Sequence, residues 1–284
     1  MLEGKKVIFF GNSHTYYGRV VTDQAQDTTH SERINDNGLF YQLCKANGVN
    51  VNVTNYVFGN HKLSDFYSGS CAAGRGHDGH NHMADIPDFY YDYVILQQGA
   101  GMADHDLVAE VENMIAPFKA ANPNVKVVFL LHLRSFTDGY EWKYRVNELE
   151  AMGVTVVDWG GMLYGLMTGT QKAPGSIMTY NKNTFIISQS ATDGYHPNLL
   201  TGWLITQMTY CAITGEDASD LQANLGTDNN IIGTSALTKY RSKYYTYSTE
   251  TNFDTIVSSE PEMRKLQALI DKWLAEKSYR DYTK

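Results

Sequence analysis

The chain has 284 residues, 43% of them hydrophobic, enough to bury the core of one large α/β domain or two small ones, which excludes a disordered or fibrous protein. Its 23 Lys+Arg stand against 31 Asp+Glu, and a net charge of -8 argues against nucleic acid as a partner, because phosphate-backbone binding needs a concentrated basic face. No apolar run reaches the roughly 18 residues of a membrane helix, so a soluble chain with no membrane partner is expected. Cys44, Cys71 and Cys211 are widely spaced, form no Cys-x-x-Cys pair and cannot all be paired within one chain, so they leave compartment open, cytoplasmic or secreted. Oligomeric state is open too.

In chain order, "KVIFF" 6–10 reads as a first strand, followed by "VNVTNYVF" 51–58, "YVILQ" 93–97, "VKVVFLLHL" 125–133 and "VTVVDW" 154–159. β-branched and aromatic residues dominate these runs, and several lack polar alternation, as expected where helices cover both faces of a parallel sheet. Helices are expected over 36–47, 104–121, 139–152 and 198–214, with stops at Asn47-Gly48, before Pro123, at Gly153 and at Gly215. This alternation predicts βαβ crossovers and a three-layer α/β/α sandwich on a mainly parallel, doubly wound, five-stranded sheet. Residues 216–258 lack a clear period and read as an irregular surface excursion. The segment "EPEMRKLQALIDKWLAEK" 260–277 carries Met263, Leu266, Leu269, Ile270, Trp273 and Leu274 at helical spacing. With no repeat or Pro/Gly linker, the expectation is a single domain over 1–284 whose core occupies about 5–215.

In such a sheet the ligand site lies beyond the strand C-termini. That rule selects Ser13, Gly59-Asn60, Gln98-Gly99 and the loop after residue 133. A hydroxyl becomes a nucleophile when a nearby base takes its proton and a third group orients the base. Ser13 ends the first strand, and "ATDGYHPN" 191–198 supplies Asp193 and His196 just before a helix. Each block alone has a plainer reading, Ser13 as a helix cap and Asp193-Gly194 as a turn.

Taken together, "IFFGNSHT" and "DGYHPN" resemble the first and last blocks of the SGNH hydrolase superfamily, the GDSL esterases, over about residues 5–215. The resemblance implies Ser13 as nucleophile, His196 as general base and then acid, and Asp193 as its orienter. It also implies an oxyanion hole made from Ser13 N–H, a glycine N–H after the second strand and an asparagine amide after the third. Gly59 fits the second place, with Asn60 as a rival. At the third, "LQQGAGM" has no asparagine, and Gln98 carries the same amide one methylene further out, or else simply closes the strand.

Two further groups fall near the expected cleft. His14 follows the serine and is assigned a substrate-facing role. Arg134 follows His132 at the fourth strand's end and would bind an acidic substrate group or form a structural ion pair. The segment "GRGHDGHNHMAD" 74–85 gathers His77, Asp78, His80, His82 and Asp85, all capable of holding zinc, but matches no helical His-Glu-x-x-His pattern. It is read as a loop lining the cleft, with no metal. The expected activity is hydrolysis of short-chain, O-acetyl esters on a small-molecule or carbohydrate substrate without any cofactor. The 20 tyrosines suit sugar-like ligands and ordinary cores alike. Two rivals stay open: a carbohydrate-binding protein whose catalysis has decayed, and a metal-dependent hydrolase using the His77 to Asp85 loop.

Overall fold

A computed structural model describes residues 2–21, 35–59, 61–68, 80–99, 106–137, 141–186, 196–223, 259–276 and 282. Strands β1 (Lys6–Gly11), β2 (Asn52–Val57), β3 (Tyr93–Leu96), β4 (Lys126–Leu130) and β5 (Val154–Val157) form one sheet in the order β2-β1-β3-β4-β5. Every pairing is parallel, with Val7 opposite both Val53 and Tyr93. Alternation decides the faces. Val7, Phe9, Ile95, Val128 and Leu130 point to one core, while Ile8, Phe10, Val94, Leu96 and Phe129 point to the other. Both sides of each central strand are therefore apolar, which is why the sequence shows runs instead of alternation.

The first core is covered by α2 (Gly38–Ala46), α7 (Trp159–Thr168), α9 (Leu199–Thr214) and α10 (Glu260–Ala275). The second is covered by α3 (Leu63–Ser68), α4 (Leu107–Ala121) and α6 (Val146–Ala151). The result is the α/β/α sandwich expected from the sequence. Helix α10 is capped at its start by Ser259, whose hydroxyl accepts from Glu262 N–H, and it buries Met263, Leu266, Leu269, Ile270 and Trp273. Trp273 Nε1 donates to Asp158 O at 2.9 Å, tying this last helix to the end of β5. Fully burying side chains of this size contributes about 1.5–3 kcal/mol each, enough to fix the helix without help from its exposed face.

Three expectations change. The expected helix over 139–152 is a 3₁₀ turn, Glu141–Arg145, followed by α6, and the 3₁₀ winding presents Trp142 edge-on to His132. The run 125–133 ends as a strand at Leu130, because α5 (Arg134–Thr137) begins almost at once. The expected strand 154–159 stops at Val157, and Asp158 instead caps α7 by accepting from Gly161 N–H at 2.7 Å. Of the expected excursion over 216–258, residues 216–223 hold a short 3₁₀ turn, Ala218–Asp220, and 224–258 lie outside the described residues. Among the described residues, no helix is long and apolar enough to cross a membrane.

Candidate functional site

The strand order reverses between β1 and β3, so their C-terminal ends flank the topological switch point where open α/β sheets bind ligands. Directly after β1, Asn12 caps a single helical turn, α1 (Ser13–Tyr16): its side chain accepts from His14 N–H at 3.1 Å, and Thr15 Oγ1 accepts from Asn12 N–H at 2.9 Å. Asn12 Nδ2 also donates to His61 O at 3.1 Å, pinning the turn to the segment after β2. Ser13 thereby becomes the first helical residue, whose N–H has no intrahelical acceptor. Its side chain is half-buried at the sheet edge.

His196 reaches the same point from the far end of the chain. Pro197 bridges to Ile186, and Asn198 N–H donates to Phe185 O at 2.9 Å. Asn198 Nδ2 donates to Thr184 O at 2.8 Å while its Oδ1 accepts from Thr201 N–H at 3.0 Å, so one residue both caps α9 and clamps it to α8 (Lys182–Phe185). The first turn of α9 then lies backbone against backbone on the turn after α1. A Cβ built on Gly202 would fall 1.7 Å from Gly18 O, which only glycine permits. These contacts bring His196 Nε2 to 2.9 Å from Ser13 Oγ, with His196 half-buried. A hydroxyl in hydrogen-bond reach of an imidazole can pass its proton as it attacks. Asp193 lies outside the described residues.

Gly59 follows β2, and a Cβ on it would lie 3.3 Å from Tyr16 OH, so it borders α1. Among the described residues neither Ser13 N–H nor Gly59 N–H has an acceptor, leaving two backbone donors at the ends of adjacent strands. Asn60 lies outside the described residues. Gln98 is corrected. It is fully buried, its Oε1 accepts from Leu63 N–H and Gly99 N–H at 2.9 Å each, and its Nε2 is bound to Glu110. This amide braces α3, β3 and α4 and is not directed at Ser13. The physical reason is strand alternation, which sends Gln98 to the face of Val94 and Leu96.

Gln97, which the sequence reading passed over, falls on the other face. Its N–H donates to Phe10 O at 2.9 Å, placing it across the switch point from Gly11, and its side-chain amide is buried with neither atom bonded. The signal that finds it is the two-residue period of β3, counted on from Tyr93 and Ile95.

His14 is also corrected. It is fully buried and stacks on His132 with ring centroids 4.5 Å apart at 4°, so it does not face substrate. His132 Nδ1 accepts from Arg134 N–H at 3.0 Å. Burial, and secondarily the nearby Arg134 guanidinium, push the His132 imidazole down to about 3, which keeps the ring neutral. Arg134 is half-buried at the C-terminal end of β4, on the same sheet edge as Ser13. Tyr17 lies beside the pair, its ring centroid 4.6 Å from that of His196 and 4.9 Å from Tyr16.

Of the histidine-rich segment, residues 80–85 are described; His77 and Asp78 are not among the described residues. Elsewhere, a cavity of about 570 Å³ runs along the outer edge of β5 between Gly153, Gly215 and Asp271, away from the strand ends that hold Ser13.

No protein-family model matches the chain, and no curated protein matches it. The solved structures it matches include carbohydrate esterases and lipolytic proteins of the GDSL type. It is similar to a family two carbohydrate esterase from Clostridium thermocellum in complex with cellohexaose, at 15% identity and a TM-score of 0.42, covering 76% of this chain and 65% of that one. A member of the lipolytic protein G-D-S-L family from Veillonella parvula gives 16% and 0.43 over 73% and 96%. A DUF4886 family protein from Bacteroides uniformis gives 13% and 0.45 over 87% and 98%. The chain spans about two thirds of the length of the carbohydrate esterases it matches.

Proposed function

We propose that the chain is a serine ester hydrolase acting on short acyl esters, O-acetyl groups on carbohydrate in particular. The observation that carries this is the 2.9 Å approach of His196 Nε2 to Ser13 Oγ at the switch point of the sheet. In this reading Ser13 Oγ attacks the ester carbonyl while His196 Nε2 takes its proton, and the C–O bond then breaks as His196 returns that proton to the leaving alcohol. Water, deprotonated by His196, attacks the acyl-enzyme and releases the acid. Asp193 is assigned the role of orienting His196, on the strength of its spacing in "DGYHPN".

The oxyanion is held by Ser13 N–H and Gly59 N–H, donors that otherwise have no acceptor among the described residues. We assign the third donor to Gln97, not Gln98, because its buried amide is otherwise unbonded and such a group costs about 1–3 kcal/mol unless it is used. The ring of Tyr17 beside His196, with that of Tyr16 against it, favours a flat, polar-edged ligand such as a sugar over a long acyl chain. Arg134 remains a candidate for an acidic group on that ligand.

Hydrolysis of p-nitrophenyl acetate and of acetylated xylo-oligosaccharides tests the reading. Ser13→Ala is expected to lower kcat by about 10³-fold or more, since removing the nucleophile leaves only oxyanion-hole and binding effects. Equal, negligible rates for wild type and Ser13→Ala across short acyl esters would overturn it in favour of a binding protein.

A further inference from the structure

Among the described residues outside that site, one cluster of metal-ligating side chains stands together. Asn81 caps a 3₁₀ turn, His82–Asp85, by accepting from Met83 N–H at 3.1 Å and Ala84 N–H at 3.3 Å. In a 3₁₀ turn, residues three apart eclipse, so His82 and Asp85 project from the same side. His80, just ahead of the cap, brings its Nε2 to 2.8 Å from Asp85 Oδ2. One ligand atom from each of His80, His82 and Asp85 lies within 4.8 Å of the others. His82 is held in place by stacking on Phe58, with centroids 4.1 Å apart at 22°.

We propose that His80, His82 and Asp85 form a zinc site. Two imidazole nitrogens and one carboxylate oxygen are a donor set that suits this ion, and bonds of about 2.0–2.2 Å require these atoms to close in by only a modest side-chain adjustment. Metal binding replaces the hydrogen bond between His80 and Asp85, the carboxylate offsets one of the two positive charges, and water takes the fourth position. The turn is built before the ion arrives, by the Asn81 cap and the Phe58 stack, so little ordering is required of it. Because Phe58 immediately precedes Gly59, the bound ion braces the segment that borders Ser13. This assignment is independent of the esterase reading.

The test uses the full chain without an affinity tag, stripped with a chelator, dialysed and titrated with zinc chloride. Bound metal is counted by mass spectrometry after gel filtration, affinity is measured by calorimetry, and Tm is recorded with and without zinc. One zinc per chain is expected, with a Tm higher by several degrees. Asp85→Asn and His80→Gln, both at partly exposed positions, are each expected to weaken binding by about 100-fold or more and to abolish the Tm rise. Substoichiometric zinc in the wild type overturns the proposal. So does wild-type affinity in both variants, which would put the ion on other groups.

Discussion

The approach of His196 to Ser13 rests on the backbone contact between Gly18 and Gly202. In Gly202→Ala the new Cβ would sit 1.7 Å from Gly18 O and 2.4 Å from Gly18 C, backbone atoms with no rotamer to change. Real Cβ contacts essentially never fall below 3.0 Å, so α9 and the turn after α1 must part by about 1.3 Å. Added to the 2.9 Å between Ser13 Oγ and His196 Nε2, a shift of that size carries the pair beyond hydrogen-bond reach. Overpacking of this kind costs about 1–3 kcal/mol, and a misplacement of about 1 Å costs roughly 100-fold in rate. Gly18→Ala is the milder version, because its Cβ would meet Gly202 Cα at 2.8 Å. The assay is p-nitrophenyl acetate hydrolysis by wild type, Gly18→Ala and Gly202→Ala, beside urea denaturation of each. Activity should fall in that order, with Gly202→Ala folded but reduced by about 100-fold in kcat/KM. A folded Gly202→Ala with wild-type kcat/KM would refute the reasoning, since the pair would then not depend on this contact.

The two neighbouring glutamines separate in opposite directions. Gln98→Ala strands Leu63 N–H and Gly99 N–H and removes one partner of the Glu110 carboxylate, so it should lose about 1–3 kcal/mol per stranded N–H in urea titration while kcat stays within about tenfold. Gln97→Leu removes a buried, unbonded amide and should keep stability or raise it while kcat falls by about 10²–10³-fold; the reverse pattern returns the third donor to Gln98. His132 gives a pH signature. Its folded-state value of about 3 lies below the unfolded value near 6.5, so between them the unfolded chain binds a proton that the native chain does not. Stability from this group is therefore fully present above about pH 6.5 and lost toward pH 3, at roughly 1.4 kcal/mol per pH unit. Urea midpoints at pH 7 and 4.5 should show this slope in wild type and a shallower one in His132→Gln; equal slopes would contradict the burial argument.

Strand positions and the parallel sheet were legible in the sequence because burial on both faces leaves uninterrupted β-branched and aromatic runs, as in "KVIFF" and "YVILQ". The same is true of α10, whose apolar stripe keeps a clean helical period. Helix α7 was hidden, since Gly160, Gly161 and Gly165 depress helix propensity. Its reason is tertiary: a Cβ on Gly160 would lie 2.3 Å from the His132 carbonyl carbon. Ser13 and His196 could be named from local blocks that cap a turn and start a helix. That the two glutamines of "QQ" fall on opposite faces follows from the two-residue period of β3, but which of those faces lies beside the end of β1 came only from the pairing of β3 with β1. Likewise His14 looks exposed beside Ser13, yet the stack on His132 buries it. Sequence determined the elements, whose signals are local and periodic. Only the tertiary structure decided which neighbouring side chains meet, because contacts across 183 positions arise from packing that no local pattern encodes.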